Sequence, residues 1–500
     1  MRGVLIIVCL WVHIPAGFSQ TGLGSFQQVA VRAGKAEVIT SKGRISFQLY
    51  QGGVVQTTFD AGYQNAEQIS NAVVANPLPI IHLLTQNDSA LVFEAGAIQI
   101  TVLKQPVRIR YEKDNRVVQC VGADTADGHR LLQFSLNANE KIFGTGSRSI
   151  PLNRRGYRLD LDHRPWYGYN INAENLNYSM PFFVSSAHYG IFIDNPSRGY
   201  FDIGKSDPTL LTAGFNSGAL QFYTFLGNST GSVVEQFVKL VGTAPLPPRW
   251  ALGNFMSRFG YRSQDEVMSI ARKMQSADFP LDAVIIDLFW FGDGEHTRWN
   301  MGNLDWNRNR FPAPEKMMDS LRAMKLKTIL ITEPFVLSES NNYKETQIKK
   351  LNAVTKAGDT MRIKSFYFGD AGLLDIPKNE TKDWFWKKYD AQIKKGIDGW
   401  WGDLGEPEQH PDDLYHNLTD LGFKRLFKAS EVHNIYAHWW SEMLFDKYAK
   451  HYPSTRLFHL NRSGYAGSWR YGAIPWSGDV ERSWAGLRAQ LPIMIGMSLS

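Results

Sequence analysis

The segment GIDGWWGDLGEPE, residues 396–408, sets Asp403 directly after two tryptophans and adds Glu406 and Glu408 within five residues. A second aspartate, Asp479, closes the string IPWSGD. Two carboxyl groups, one ionised and one protonated, are what cleavage of a glycosidic bond requires. The oxocarbenium-like transition state needs an anion on one face of the ring and a proton donor at the leaving oxygen. Asp403 and Asp479 are the candidate pair. A separation of about 5–5.5 Å would give a retaining double displacement and about 6.5–9.5 Å an inverting one, so the stereochemistry stays open at this level. Trp400, Trp401 and Trp476 flank the two aspartates. Indoles stack on the apolar faces of pyranose rings, and they dry a carboxyl group and so raise its pKa, whereas Arg462 would keep a neighbouring carboxylate ionised.

These residues need a scaffold that brings distant strand ends together. From about Pro245 onward, apolar β-like runs alternate with amphipathic helical stretches: ALGNFMSRF, AVIIDLFW, KTILITEPF, GWWGDL, TRLFHLNRSG, AIPWSGDV and LPIMIGMSLS, with SQDEVMSIARKMQSA, APEKMMDSLRAMK, DWFWKKYDAQIKKG and HNIYAHWWSEMLFDKYAKHY between them. Repeated β-α alternation without a dinucleotide glycine signature predicts a (β/α)8 TIM barrel, of which seven strands can be counted before Ser500. An open barrel edge is an exposed pairing surface, so the expectation is a barrel that appears truncated after strand 7, in a polypeptide that continues. In such a barrel the C-terminal strand ends gather Asp287, Glu333, Asp403, His459, Arg462 and Asp479 in one cleft. Any one of these aspartates could instead be a helix N-cap; their joint placement favours a site.

Ahead of the barrel, alternating runs such as ISFQLY, AIQITVLK, VRIRYEK and ALQFYTFL, separated by Gly, Asn and Asp, predict an N-terminal β-sandwich over residues 20–244. The prolines of PLPPRWALG stiffen the crossing into a barrel over residues 245–500. Residues 1–19 read as a signal peptide, with Arg2, an apolar core and small residues Gly17 and Ser19; the apolar run is too short to span a bilayer. Export to a periplasmic or extracellular space is therefore expected. Cys9 falls in that leader, leaving Cys120 without a disulfide partner. A charge of +6 with no cluster of five Lys or Arg argues against a nucleic-acid partner, and 15 Trp suit a neutral sugar ligand. His410, Asp412, Asp413 and His416 lack zinc spacing and read as a polar loop, so no metal and no cofactor is expected. His433 and His438 read as helix packing or surface residues, and His459 as a core imidazole.

GWWGDLGEPE resembles the nucleophile segment of glycoside hydrolase family 31, and RSGYAGSWRYGAIPWSGD, residues 462–479, is similar to the segment that ends in that family's acid/base. PLPPRWALG, MGNLDWNRNRFP and HNIYAHWW match as well, so the likeness covers residues 175–500. It implies that Asp403 attacks the anomeric carbon and that Asp479 protonates the leaving oxygen and later activates the acceptor. It also implies that Asp287 bonds sugar hydroxyls, that Arg462 orients the nucleophile and the ring, and that Trp400 and Trp476 wall the pocket. Glu333 joins the substrate-binding set, Glu406 supports it from behind, and Glu408 is peripheral. A family histidine that contacts the sugar is expected beyond residue 500.

FWFG, MGNLDW, TEPFVL, YFG and GWWGDLGEPEQHP resemble most the bacterial oligosaccharide 4-α-glucosyltransferase branch and its α-glucosidase relatives. The implied activity is a retaining α-glycoside hydrolase acting on α-glucosidic oligosaccharides. The alternatives are 4-α-glucosyl transfer by the same first step, or α-xylosidase or α-galactosidase action. A non-catalytic exported carbohydrate-binding protein is the reading from another class; loops near Trp166 and Tyr167 would shape the acceptor side.

Overall fold

The computed structural model describes residues 24–61, 67–124, 130–292 and 300–500. The leader proposed for residues 1–19 lies outside them. The N-terminal half is two large antiparallel sheets of nine strands each. Alternation does what the sequence leads one to expect: in Lys35–Thr40 every second residue is buried, as in Val107–Lys113, so one face of each strand packs inward. Phe47, Phe93, Phe134, Phe183 and Phe222 fill the space between the sheets. The antiparallel pattern ends at Leu226, and Thr230–Val241 is a helix started by a Ser229 capping box. Its Phe237 stacks on Phe182 with ring centroids 3.8 Å apart, pinning the helix to the sandwich.

Beyond the prolines, six parallel strands form one sheet: β1 (Phe255–Met256), β2 (Ala283–Ile286), β3 (Lys327–Thr332), β4 (Gly399–Gly402), β5 (His459–Asn461) and β6 (Ala473–Pro475). The strands are short, and the central β2 and β4 are buried on both faces, as in a parallel sheet covered by helices. The covering helices are α1 (Gln264–Ser276), α2 (Pro314–Ala323), α3 (Asn379–Ile393) and α4 (Tyr436–His451). This is the β-rich domain followed by a TIM-type barrel domain that the sequence predicts, with one correction. LPIMIGMSLS is not a seventh strand: it lies in α5 (Trp484–Leu499), capped by Ser483. A short apolar run has the same periodicity in a buried strand and in a helix, and the Ser483 side chain accepting from Gly486 N favours the helix.

Long excursions follow β3 and β4 and carry their own two-stranded pairs, Phe335–Leu337 with Ala371–Leu373 and Tyr415–Asn417 with Leu426–Lys428. They wall the C-terminal end of the sheet. No helix among the described residues is long and apolar enough to cross a membrane.

Candidate active site

Asp287, Glu333, Asp403 and Arg462 each stand immediately after a barrel strand, at the ends of β2, β3, β4 and β5. Parallel pairing sets their level: the Asp403 N–H donates to Thr332 O on β3 at 2.9 Å, and the Arg462 N–H to Gly402 O on β4 at 3.0 Å. Asp479 follows β6 by way of Gly478. That glycine has φ +85°, and a Cβ there would lie 2.7 Å from Asn177 Oδ1, so the turn that delivers Asp479 needs a residue without a side chain. The N-terminal domain fixes the far side of this turn: Gly168 N–H donates to Asp479 O at 2.8 Å, and Glu481 N–H to Tyr169 O at 2.8 Å.

Arg462, 1% exposed, is the centre of the cluster. Its Nε and Nη2 donate to the two oxygens of Glu406 at 2.8 and 2.9 Å, and Nη2 donates to Glu408 Oε2 at 2.7 Å. Nε also lies 3.1 Å from Asp403 Oδ1, and Nη1 lies 3.9 Å from Asp479 Oδ2. The Asp403 contact is close but poorly aligned: its Oδ1 is buried and accepts no hydrogen bond among the described residues. One guanidinium therefore sits among four carboxyl groups, fully matched to Glu406 and loosely to the two aspartates.

Burial works against the Arg462 charge, but Asp403 and Glu406 outweigh it and hold the guanidinium well above its ordinary pKa. Burial likewise pushes Glu406 up, yet Arg462 and the Asn177 amide pull it below the usual carboxylate value. At Asp403 burial wins over Arg462 and, with Glu406 and Asp479 adding repulsion, lifts the carboxyl to about 8. Asp479 is raised by burial too, partly offset by Arg462. Asp287 is lifted to about 7 by burial against the hydrogen bond from Leu288 N. Glu333, 1% exposed with neither carboxyl oxygen hydrogen-bonded among the described residues, is pushed well up by burial and then by Asp403 and Asp287. The cleft thus gathers several carboxyl groups that share too little positive charge, which keeps acids and bases available at neutral pH. Asp403 is the deeper of the candidate pair, its side chain 15% exposed against 49% for Asp479.

Three sequence expectations change here. Trp400 does not wall the cleft; it turns to the helix layer and packs edge-on against Tyr389 of α3, centroids 4.5 Å apart. Trp401 is the residue that meets Trp476, at 4.8 Å and 89°. Strand alternation is the reason, since Trp401 and Asp403 are two residues apart and share a face. Glu408 is not peripheral but bonded to Arg462, and its other partner is Tyr167 Oη at 2.5 Å. His410 and His416 are not in a polar loop but buried, 5% and 0% exposed. Asp287 fulfils the N-cap role as well as facing the cleft, because its Oδ1 accepts from Leu288 N at 2.7 Å. The Trp476 ring centroid lies 5.9 Å from the Arg462 guanidinium carbon. His459 is buried with burial pushing it to about 3, and His438 bonds Ser468. Among the described residues no group of three or more His, Cys, Asp or Glu is disposed to hold a metal ion.

Sequence reasoning missed Asn177 and Tyr367. The Tyr367 hydroxyl lies 3.2 Å from that of Tyr167, so two exposed phenols from opposite domains meet at the cleft rim.

A β-sandwich ahead of a TIM-type barrel, with carboxyl groups from several strand ends gathered on one arginine, is the arrangement of a glycoside hydrolase. The family model for the glycosyl hydrolases family 31 TIM-barrel domain matches residues 244–500, and that for the family's N-terminal galactose mutarotase-like domain matches residues 38–202. The chain belongs to glycoside hydrolase family 31. It is 25% identical over 483 residues to alpha-glucosidase 2 of Bacillus thermoamyloliquefaciens, covering 92% of this chain and 59% of that protein. It is 29% identical over 374 residues to an alpha-xylosidase of Saccharolobus solfataricus, covering 74% of this chain and 47% of that protein. The chain thus spans about half the length of these curated relatives. The fold is shared with a family 31 dextranase of Flavobacterium johnsoniae solved with glucose, at TM-score 0.88 and 24% identity, covering 96% of this chain and 60% of the dextranase.

Proposed function

We propose that the protein is an exported retaining α-glycosidase acting on α-glucosidic oligosaccharides, with Asp403 as nucleophile and Asp479 as acid/base. The observation that supports this reading is that both aspartates, one after β4 and one beyond β6, lie within 4 Å of a single buried guanidinium. Asp403, beside Arg462, suits the nucleophile: once ionised it attacks the anomeric carbon and becomes a glycosyl ester. Asp479, half exposed at the mouth, suits a proton donor to a leaving group that departs toward solvent, and then a base for the incoming water. Asp287 and Glu333 would bond sugar hydroxyls, and Trp401 and Trp476 would offer apolar walls to the ring.

Incubation with maltotriose and with nitrophenyl α-glucoside, α-xyloside and α-galactoside tests the substrate. Release of glucose is expected; turnover of only the xyloside or galactoside would refute the glucosidic reading, and longer maltooligosaccharides would mean transfer to a sugar acceptor.

Asp479→Ala is expected to lower kcat/KM on maltose by about 10²–10⁴-fold, the usual worth of a general acid, and to change the first step on a nitrophenyl glucoside far less, because that leaving group needs little protonation. Equal losses on both substrates would remove Asp479 from the acid role. The pH profile tests the nucleophile: only ionised Asp403 attacks, and its carboxyl is held at about 8. On the nitrophenyl substrate kcat/KM should therefore climb as pH rises through about 8. A limb centred near 4 would mean that Arg462, not burial, decides the ionisation of Asp403.

A further inference from the structure

Outside the cleft, three buried imidazoles stand in line between two carboxylates. His416 Nδ1 lies 2.7 Å from Asp375 Oδ1, His416 Nε2 lies 2.8 Å from His410 Nε2, and His410 Nδ1 lies 3.0 Å from His433 Nδ1. His433 Nε2 ends the line against two acceptors, His163 O at 2.7 Å and Asp162 Oδ1 at 3.1 Å. Every junction needs one hydrogen. The two ends face oxygen acceptors, so His416 Nδ1 and His433 Nε2 must both donate, and each of the two inner nitrogen pairs needs a proton between its members. Four junctions require four protons, whereas three neutral imidazoles bring three.

We propose that the chain Asp375–His416–His410–His433–Asp162 holds one proton in excess of three neutral imidazoles, and that this trapped charge latches the segment carrying Glu406 and Glu408 to the N-terminal domain. Both oxygens of Asp375 act as acceptors, Oδ1 towards His416 Nδ1 and Oδ2 from Asn417 N at 3.0 Å, so the extra proton is placed on a ring. The charge balance agrees. Asp375 is fully buried, and among the described residues no lysine or arginine pairs with it, so a cation inside the chain is what neutralises it. At the other end Asp162 is shared by His433 and by Arg198 Nε at 3.0 Å, with Arg164 3.8 Å away. Arg198 also pairs with Asp412 and donates to His410 O at 3.1 Å. Burial and its two imidazole neighbours push His410 far down, which keeps the charge at the carboxylate-flanked ends. His163 is occupied on both nitrogens, by Ser179 O and Ser463 Oγ, and burial pushes it to about 3, so it stays neutral. The remaining neighbour, Tyr436, donates its hydroxyl to Leu374 O, and its ring lies tilted against His416 and edge-on to His410.

The latch acts on the segment that begins at Asp403 and ends at His410. Asp162 and His163 belong to the N-terminal half, His410 to the barrel loop, and Asp375 and His416 to the excursions after β3 and β4. The sign with pH follows. Above pH about 6.5 the unfolded chain holds neutral histidines, so the folded state binds one proton more, and its stability falls as pH rises until the chain lets that proton go.

Asp375→Asn provides the test, because the new amide can donate to His416 Nδ1 and still accept from Asn417 N, letting three neutral rings satisfy every junction. Histidine ¹⁵N spectra of the wild-type protein at pH 8 should contain one ring protonated on both nitrogens, absent in the variant. The folding constant of the variant relative to wild type should rise about tenfold per pH unit above about 6.5. A wild-type spectrum with every ring neutral at pH 8, which needs no variant to fold, overturns the proposal, and so do parallel stability curves. Neither measurement involves substrate, so this result and the glycosidase reading stand or fall separately.

Discussion

Asp403→Ala is expected to abolish turnover while leaving the protein folded. Loss of a covalent nucleophile costs on the order of 10⁴-fold or more in kcat, because the glycosyl ester can no longer form. The fold should not suffer. Asp403 Oδ1 is buried without a hydrogen bond among the described residues, and Arg462 retains both oxygens of Glu406 and one of Glu408. Removing a desolvated carboxyl that repels Glu406 relieves strain in the cluster, so the unfolding midpoint should hold or rise, as is common where a site is built against stability. Added azide should restore part of the rate by attacking in place of the carboxylate, yielding a β-glycosyl azide from an α-glycoside. Residual hydrolysis within a factor of ten of wild type would end the assignment.

Arg462→Met carries the largest expected cost in stability. Here the cation goes and the carboxyl groups remain: Glu406 is fully buried and Glu408 nearly so, and each accepts from the guanidinium. Stranding a buried partner typically costs about 3–5 kcal/mol, which chemical unfolding resolves easily. The loss should depend on pH with a definite sign. Arg462 holds Glu406 below the usual carboxylate range, so it contributes stability above the unfolded value near 4.3, and that contribution fades as pH falls through the folded pKa. The variant should accordingly approach wild type in acid and diverge at neutral pH. A difference under about 1 kcal/mol at pH 7 would show that the cluster is already neutralised by shared protons.

The frame of the candidate site was legible because strand ends announce themselves. Asp287, Glu333, Asp403 and Arg462 each follow an apolar run, and Asp479 ends a string whose glycine only a tight turn explains. Trp400 was misassigned through likeness to a motif where simple alternation from Asp403 points to Trp401. The helix Trp484–Leu499 was misread because its apolar residues are spread all round, leaving no face to detect. What stayed hidden is what comes from far along the chain. Asn177 reaches Glu406 across 229 positions and Tyr167 reaches Glu408 across 241, and no local pattern encodes such pairings. The imidazole line was hidden for the same reason, since His433 joins His410 from 23 positions away and Asp162 from the other domain.

That dependence on the sandwich has a consequence for biogenesis. Chains emerge from the ribosome N-terminus first, and domains fold in that order. The wall bearing Tyr167, Asn177 and Asp162 can be in place before residues 403–410 are made, giving the acidic turn a ready mould. A gene that reversed the two halves would ask that turn to hold its crowded charges bare until the mould arrived.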